Sequence, residues 1–100
     1  MNVKIEETDD KYLVALEGEL DTVASVGVEQ QLKGLFNSKG KEVIIECKKL
    51  SYIASSGLRI LFRILKGAKA SGSRVVLKHV NDEILNVFRL TGFISIFDFE

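Results

Sequence analysis

Ser55 and Ser56 are the residues of this sequence best placed to do chemistry. With Gly57 they stand where the strand-like run ending in Ile53 gives way to the helical spacing of Leu61, Ile64, Leu65 and Ala68. A hydroxyl at such a junction can cap the helix, bind an anion or accept a phosphate. One serine suffices for the cap. The other is then free to point outward, beside the positive end of the helix dipole. A phosphate there would meet backbone N–H groups and would add about −1.5 to −2 charge to a chain whose formal net charge is zero. Gly57 permits close approach of another backbone. The plain alternative is that both serines only serve the start of the helix.

Asp21 and Thr22 form a second polar junction, after Glu17-Gly18-Glu19-Leu20. Either can cap the helix that follows, and a cap at Thr22 would leave Asp21 free to face outward. Arg59 and Arg63 lie one turn apart on the second helix, as a solvated face or as a contact for an acidic partner. Leu58 and Phe62 are spaced in the same way, as peripheral core or as the partly exposed apolar centre of an interface.

Other chemistry lacks support. Cys47 is the only cysteine, so no disulfide can form within the chain, and its expected place is a buried strand end. His79 is the only histidine and has no companion at ligand spacing, so no metal is expected. Gly67 to Gly72 is not a nucleotide loop, because no Gly-Lys-Ser/Thr follows. No general base and nucleophile can be paired, which argues against an enzyme and against a cofactor.

The elements that must position the serines can be read from periodicity. Val3 and Ile5 alternate with Lys4 and Glu6, then a polar turn leads to Tyr12-Leu13-Val14-Ala15-Leu16, an antiparallel hairpin. A helix follows from Asp21-Thr22, burying Val28, Leu32, Leu35 and Phe36. Glu42 to Cys47 is a strand, Lys48 to Ala54 a packed loop, and Ser56 to about Ala70 a helix with Arg59, Arg63 and Lys66 on its solvent side. Arg74 to Val80 is the next strand. Asn81 caps a third helix that buries Ile84, Val87, Phe88 and Thr91 and stops at Gly92, and Phe93 to Phe97 is the last strand. The order β-β-α-β-α-β-α-β predicts a single α/β domain over residues 1–100, with a mixed, mostly parallel sheet of about five strands packed with helices.

The 100 residues suit one core, and 46% hydrophobic with 28% charged content suits a folded chain. Fourteen basic residues balance fourteen acidic ones, so no field draws in nucleic acid or anionic lipid. The N-terminus lacks the layout of a signal peptide, and no apolar run approaches the roughly 20 residues that span a bilayer. A cytoplasmic protein without direct membrane insertion is expected.

Gly18-Glu19-Leu20-Asp21 together with Tyr52-Ile53-Ala54-Ser55-Ser56-Gly57-Leu58-Arg59, and Leu90-Thr91-Gly92-Phe93 near the end, resembles the STAS-domain family of bacterial anti-sigma factor antagonists. The likeness covers nearly the whole chain. It implies a phosphorylation-switched binding module rather than an enzyme: an anti-sigma factor serine kinase phosphorylates the first serine, here Ser55 with Ser56 the alternative. The unphosphorylated form binds the kinase and frees the sigma factor, and a phosphoserine phosphatase would reset the switch. The nucleotide belongs to the kinase. The resemblance further implies a partner surface of Asp21, Thr22, Ser56, Gly57, Leu58 and Arg59. One departure is Ala54, where many members carry aspartate. The alternative readings are a non-switching STAS scaffold subunit of a signalling or transport complex, and a small-molecule or lipid carrier.

Overall fold

The computed structural model describes residues 1–100. It opens with the expected hairpin. Strand β1 (Asn2–Glu7) runs antiparallel to β2 (Lys11–Leu20), and the Thr8 N–H closes the turn on the Lys11 carbonyl at 2.9 Å. Along β2, Tyr12, Val14 and Leu16 are buried, while Lys11, Leu13 and Ala15 between them are half-buried. The period of two puts one face of the strand against the core. Strands β3 (Glu42–Glu46), β5 (Val75–Lys78) and β6 (Asp98–Phe99) add in parallel, giving the order β1-β2-β3-β5-β6.

Helices α1 (Thr22–Leu32), α2 (Ser55–Ala70) and α3 (Asp82–Thr91) cover the inner face. Tyr12, Val14, Leu16, Val43, Ile45, Val75 and Leu77 of the sheet share one core with Val28, Leu32, Leu61, Ile64, Leu65, Ile84 and Phe88 of the helices. Fully burying each such large aliphatic side chain contributes about 1.5–3 kcal/mol. The expected stripe of α2 is in place, and Arg59, Arg63 and Lys66 are exposed. Asn81 caps α3 through its side-chain oxygen, which accepts from the Ile84 N–H at 2.9 Å, and Gly92 ends that helix in the left-handed region at φ 81°.

Five expectations need correction. Lys48–Ala54 is not only a loop, since Leu50–Ile53 form a strand, β4, parallel to the last residues of β2. A register shift between Gly18 and Glu19, with Gly18 at φ 107°, lets β2 leave β3 and pick up β4, which continues β3's line. The first helix ends at Leu32, and a 3₁₀ turn over Lys33–Phe36 completes it; Leu35 is buried there and Phe36 half-buried. The fifth strand is shorter than Arg74–Val80, because His79 has φ 58° and cannot extend it. The last strand is not Phe93–Phe97. Phe93–Ser95 is a 3₁₀ turn, and β6 is Asp98–Phe99. Aromatic packing explains that stretch: Phe93 stacks on Phe62 at 5.5 Å, and Phe88 meets Phe97 and Phe99 edge-on at 5.6 and 5.3 Å. Val87 is half-buried and Thr91 exposed, so the buried side of α3 rests on Ile84 and Phe88.

Candidate functional site

Two parallel strand ends build the site. Leu20, the last residue of β2, pairs with Ile53, the last of β4. Each strand is followed by one extended residue and then a helix: Asp21 before α1, Ala54 before α2. The Ala54 N–H donates to the Leu20 carbonyl at 2.9 Å, tying the two junctions together. Two helix N-termini therefore lie side by side at the carboxyl ends of adjacent strands, where α/β domains commonly place sites. Asp21 and Ser55, far apart in sequence, meet for this reason.

The two junctions are capped differently. Asp21 caps α1, its Oδ1 accepting from the Ala24 N–H at 2.8 Å. Of the two candidate caps, Asp21 takes the role and Thr22 is exposed without it. At α2 neither serine caps. The cap position is Ala54, in extended conformation and without a side-chain bond, and Ser55 is already the first helical residue. The start of α2 is instead set by the strand pairing and by the Leu58 N–H bonding the Ala54 carbonyl at 3.1 Å. The N–H groups of Ser55, Ser56 and Gly57 have no helical carbonyl before them to accept.

The two serines have distinct surroundings. Ser55 is exposed. Ser56 is half-buried, and its hydroxyl lies 2.9 Å from that of Ser25, which donates to the Asp21 carbonyl at 2.7 Å. This chain of bonds locks the first turn of α1 to the first turn of α2. Ser25 is a residue that sequence reasoning missed; its place four residues after the Asp21 cap, one turn into the helix, was the available signal.

Gly57 is buried, and a Cβ there would lie 2.7 Å from Leu20 Cγ and 3.0 Å from Ile53 Cγ1. The close approach that this glycine permits is to the chain's own strand ends. Leu58 is 2% exposed and belongs to the core, the first of the two readings open for it, and is not an exposed apolar centre. It floors an open groove of about 400 Å³ beside Ser55, walled by Arg59, Phe62, Thr91 and Phe93. Thr91 and Phe93 enter this groove from the end of α3, a placement that no local pattern in the sequence signals. Arg59 is exposed, whereas Arg63 is engaged, 3.2 Å from Glu29 and over the Phe36 ring at 4.1 Å. Val23 and Val26 on the solvent side of α1 are 85% and 70% exposed.

Elsewhere, burial pushes the Cys47 thiol up to about 12, with neighbouring Glu46 adding to the shift. A thiol so protonated is a poor nucleophile. No group of three or more His, Cys, Asp or Glu side chains could hold a metal ion, and no helix is long and apolar enough to cross a membrane.

A sequence profile of the STAS domain matches residues 2–100. The chain belongs to the STAS-domain family. Its curated relatives include the anti-sigma-B factor antagonist of Bacillus subtilis, 26% identical over 98 residues that cover 98% of this chain and 89% of the relative. The anti-sigma-B factor antagonist of Staphylococcus aureus is 29% identical over 94 residues, covering 92% and 87%. Among solved structures, SpoIIAA in its unphosphorylated form superposes with a TM-score of 0.81 at 21% identity, covering 99% of this chain and 88% of that one. The Bacillus cell fate determinant SpoIIAA in its phosphorylated form gives 0.74 at 19% identity, covering 99% and 91%. A STAS protein of Planctomyces limnophilus gives 0.85 at 14% identity, covering 98% and 87%. At these identities the structural likeness speaks for the fold.

The capping role of Asp21 yields a test of this STAS domain's architecture. Asp21→Ala should lower stability by about 1 kcal/mol through the lost cap, whereas Asp21→Asn keeps an acceptor and should cost little. Thermal unfolding of both variants checks this. Equal melting temperatures for Asp21→Ala and the wild type would mean that the cap contributes nothing.

Proposed function

We propose that this STAS domain is an anti-sigma factor antagonist controlled by phosphorylation at Ser55. Unphosphorylated, it binds an anti-sigma factor kinase and makes it release its sigma factor; phosphorylated, it lets go. The observation that carries the reading is the difference between the two serines. Ser55 is exposed at an uncapped helix start, while the Ser56 hydroxyl is held by Ser25. A phosphate on Ser55 would sit at the positive end of α2, within reach of unpaired first-turn N–H groups. The names of the curated relatives support the antagonist role, and a relative of this fold is known in a phosphorylated form.

In this reading the partner docks over the paired helix starts. Ser55, the Asp21–Thr22 junction and Arg59 supply the polar part of the surface. Leu58 and Gly57 support it from beneath. The kinase brings the nucleotide, and a phosphoserine phosphatase restores the binding form.

Pull-down from the native cell identifies the kinase, and incubation with that kinase and ATP followed by peptide mapping tests the site. Phosphate is expected on Ser55. Phosphate on Ser56 alone would reverse the assignment, and a kinase that binds without phosphorylating either serine would point to a non-switching scaffold.

A further inference from the structure

The hairpin leaves one long strand edge without a partner. β1 is the first strand of the sheet and pairs only with β2. Its hydrogen-bonding phase follows from the turn. The Thr8 N–H donates to the Lys11 carbonyl across the hairpin, which sets the phase, so in an antiparallel ladder the bonded pairs fall at Glu6 with Leu13, Lys4 with Ala15 and Asn2 with Glu17. The backbone N–H and C=O groups of Val3, Ile5 and Glu7 therefore point away from the sheet. Proteins usually protect such an edge, because it is a template for another strand. Here Ile5, at its centre, is 45% exposed.

We propose that this edge is a self-association surface, β1 pairing antiparallel with β1 of a second copy in a register centred on Ile5. A two-fold axis normal to the sheet places a residue opposite itself, since opposed side chains must share a face. Three registers keep the middle of the strand paired. Centred on Lys4, the two lysines face each other; centred on Glu6, the two glutamates do. Centred on Ile5, Ile5 meets the partner's Ile5 and Lys4 lies opposite the partner's Glu6, twice by symmetry.

The phase of the ladder suits this register. Ile5 and the partner's Ile5 exchange backbone hydrogen bonds, as do Val3 and the partner's Glu7. Lys4 and the partner's Glu6 then form non-hydrogen-bonded pairs, in which side chains approach most closely. Lys4 and Glu6 pair with Ala15 and Leu13 across the hairpin, so both charges lie on the open face of the sheet. Lys4 is 3.6 Å from Glu17 and 65% exposed, leaving it able to span Glu17 and the partner's Glu6. Ile5 pairs with Val14, so the isoleucine contact falls on the helix-covered side.

One strand pair is a small interface, so the dimer should be weak and concentration-dependent. Sedimentation of the whole chain up to about 1 mM, the range of weak associations, is expected to show a species of twice the 11.1 kDa chain mass. Lys4→Glu or Glu6→Lys alone places like charges opposite each other twice and should weaken association roughly tenfold or more. The double variant Lys4→Glu/Glu6→Lys restores opposite charges and should recover it. Melting temperatures confirm that each variant folds. A wild-type chain that stays monomeric would overturn the proposal. A dimer indifferent to the single changes, or a folded double variant that fails to recover, would overturn it equally.

Discussion

Ser55→Asp should weaken binding to the proposed anti-sigma factor kinase partner by at least about tenfold, whereas Ser55→Ala should bind as the unmodified protein does and resist the proposed switching. Ser55 carries no cap bond and is exposed, so neither change removes a structural contact. The effect must come from charge at the docking surface. A carboxylate pressed into an interface without a partner is strongly destabilising, and about 1.4 kcal/mol suffices for the tenfold change. Isothermal titration with the purified kinase measures it. Equal affinity for wild type and Ser55→Asp, both with unchanged melting temperature, would remove charge at this position as the switch. Ser56→Ala is the contrast. It breaks the bond to Ser25 between α1 and α2, so its effect should fall first on stability.

How much of this was legible in the sequence depended on the range of the signal. The hairpin, the helical stripe Leu61-Ile64-Leu65-Ala68 and the cap at Asn81 are local patterns, and the structure bears these three out. β4 was hidden because Leu50 and Ile53 are buried while Ser51 and Tyr52 between them are exposed, which gives no alternation, and because its partner is the bulged end of β2. Phe93–Phe97 looked like a strand because its residues favour one. Phe62 and Phe88 instead draw those aromatic rings into the core from a turn.

At the site, the two junctions were visible but their division of labour was not. Ser, Thr and Asp are all good caps, and the sequence favours none of them. The choice was made by strand pairing: Ala54 is fixed as the cap position by its bond to the Leu20 carbonyl, leaving Ser55 inside the helix and uncommitted. The burial of Leu58 and Gly57 has the same origin. Once α2 starts at Ser55, its first turn must lie directly on Leu20 and Ile53.

The largest expected loss of stability comes from Gly67→Ala. In most helices this change is favourable, because glycine costs about 1 kcal/mol relative to alanine. Here a Cβ would fall 2.0 Å from the Phe36 carbonyl oxygen and 2.6 Å from its carbon. Both are backbone atoms of the 3₁₀ turn that follows α1, so no side chain can swing aside. Either that turn or α2 must move. The movement would also disturb Ser71, whose hydroxyl bonds the Gly67 carbonyl at 3.1 Å and lies 3.0 Å from that of the fully buried Ser38. Overpacking of this kind costs about 1–3 kcal/mol and outweighs the gain in helix propensity, for a net loss of about 2 kcal/mol. In a domain of this size that lowers the melting temperature by roughly 10 °C. Gly27→Ala is the matched control. Gly27 lies in the interior of α1 and a Cβ there meets nothing within 4 Å, so the same substitution should raise stability by about 0.5–1 kcal/mol. Opposite signs for the two variants would tie the loss to the Phe36 carbonyl. A Gly67→Ala protein that melts at or above the wild type would show that the two helices do not need this glycine to meet.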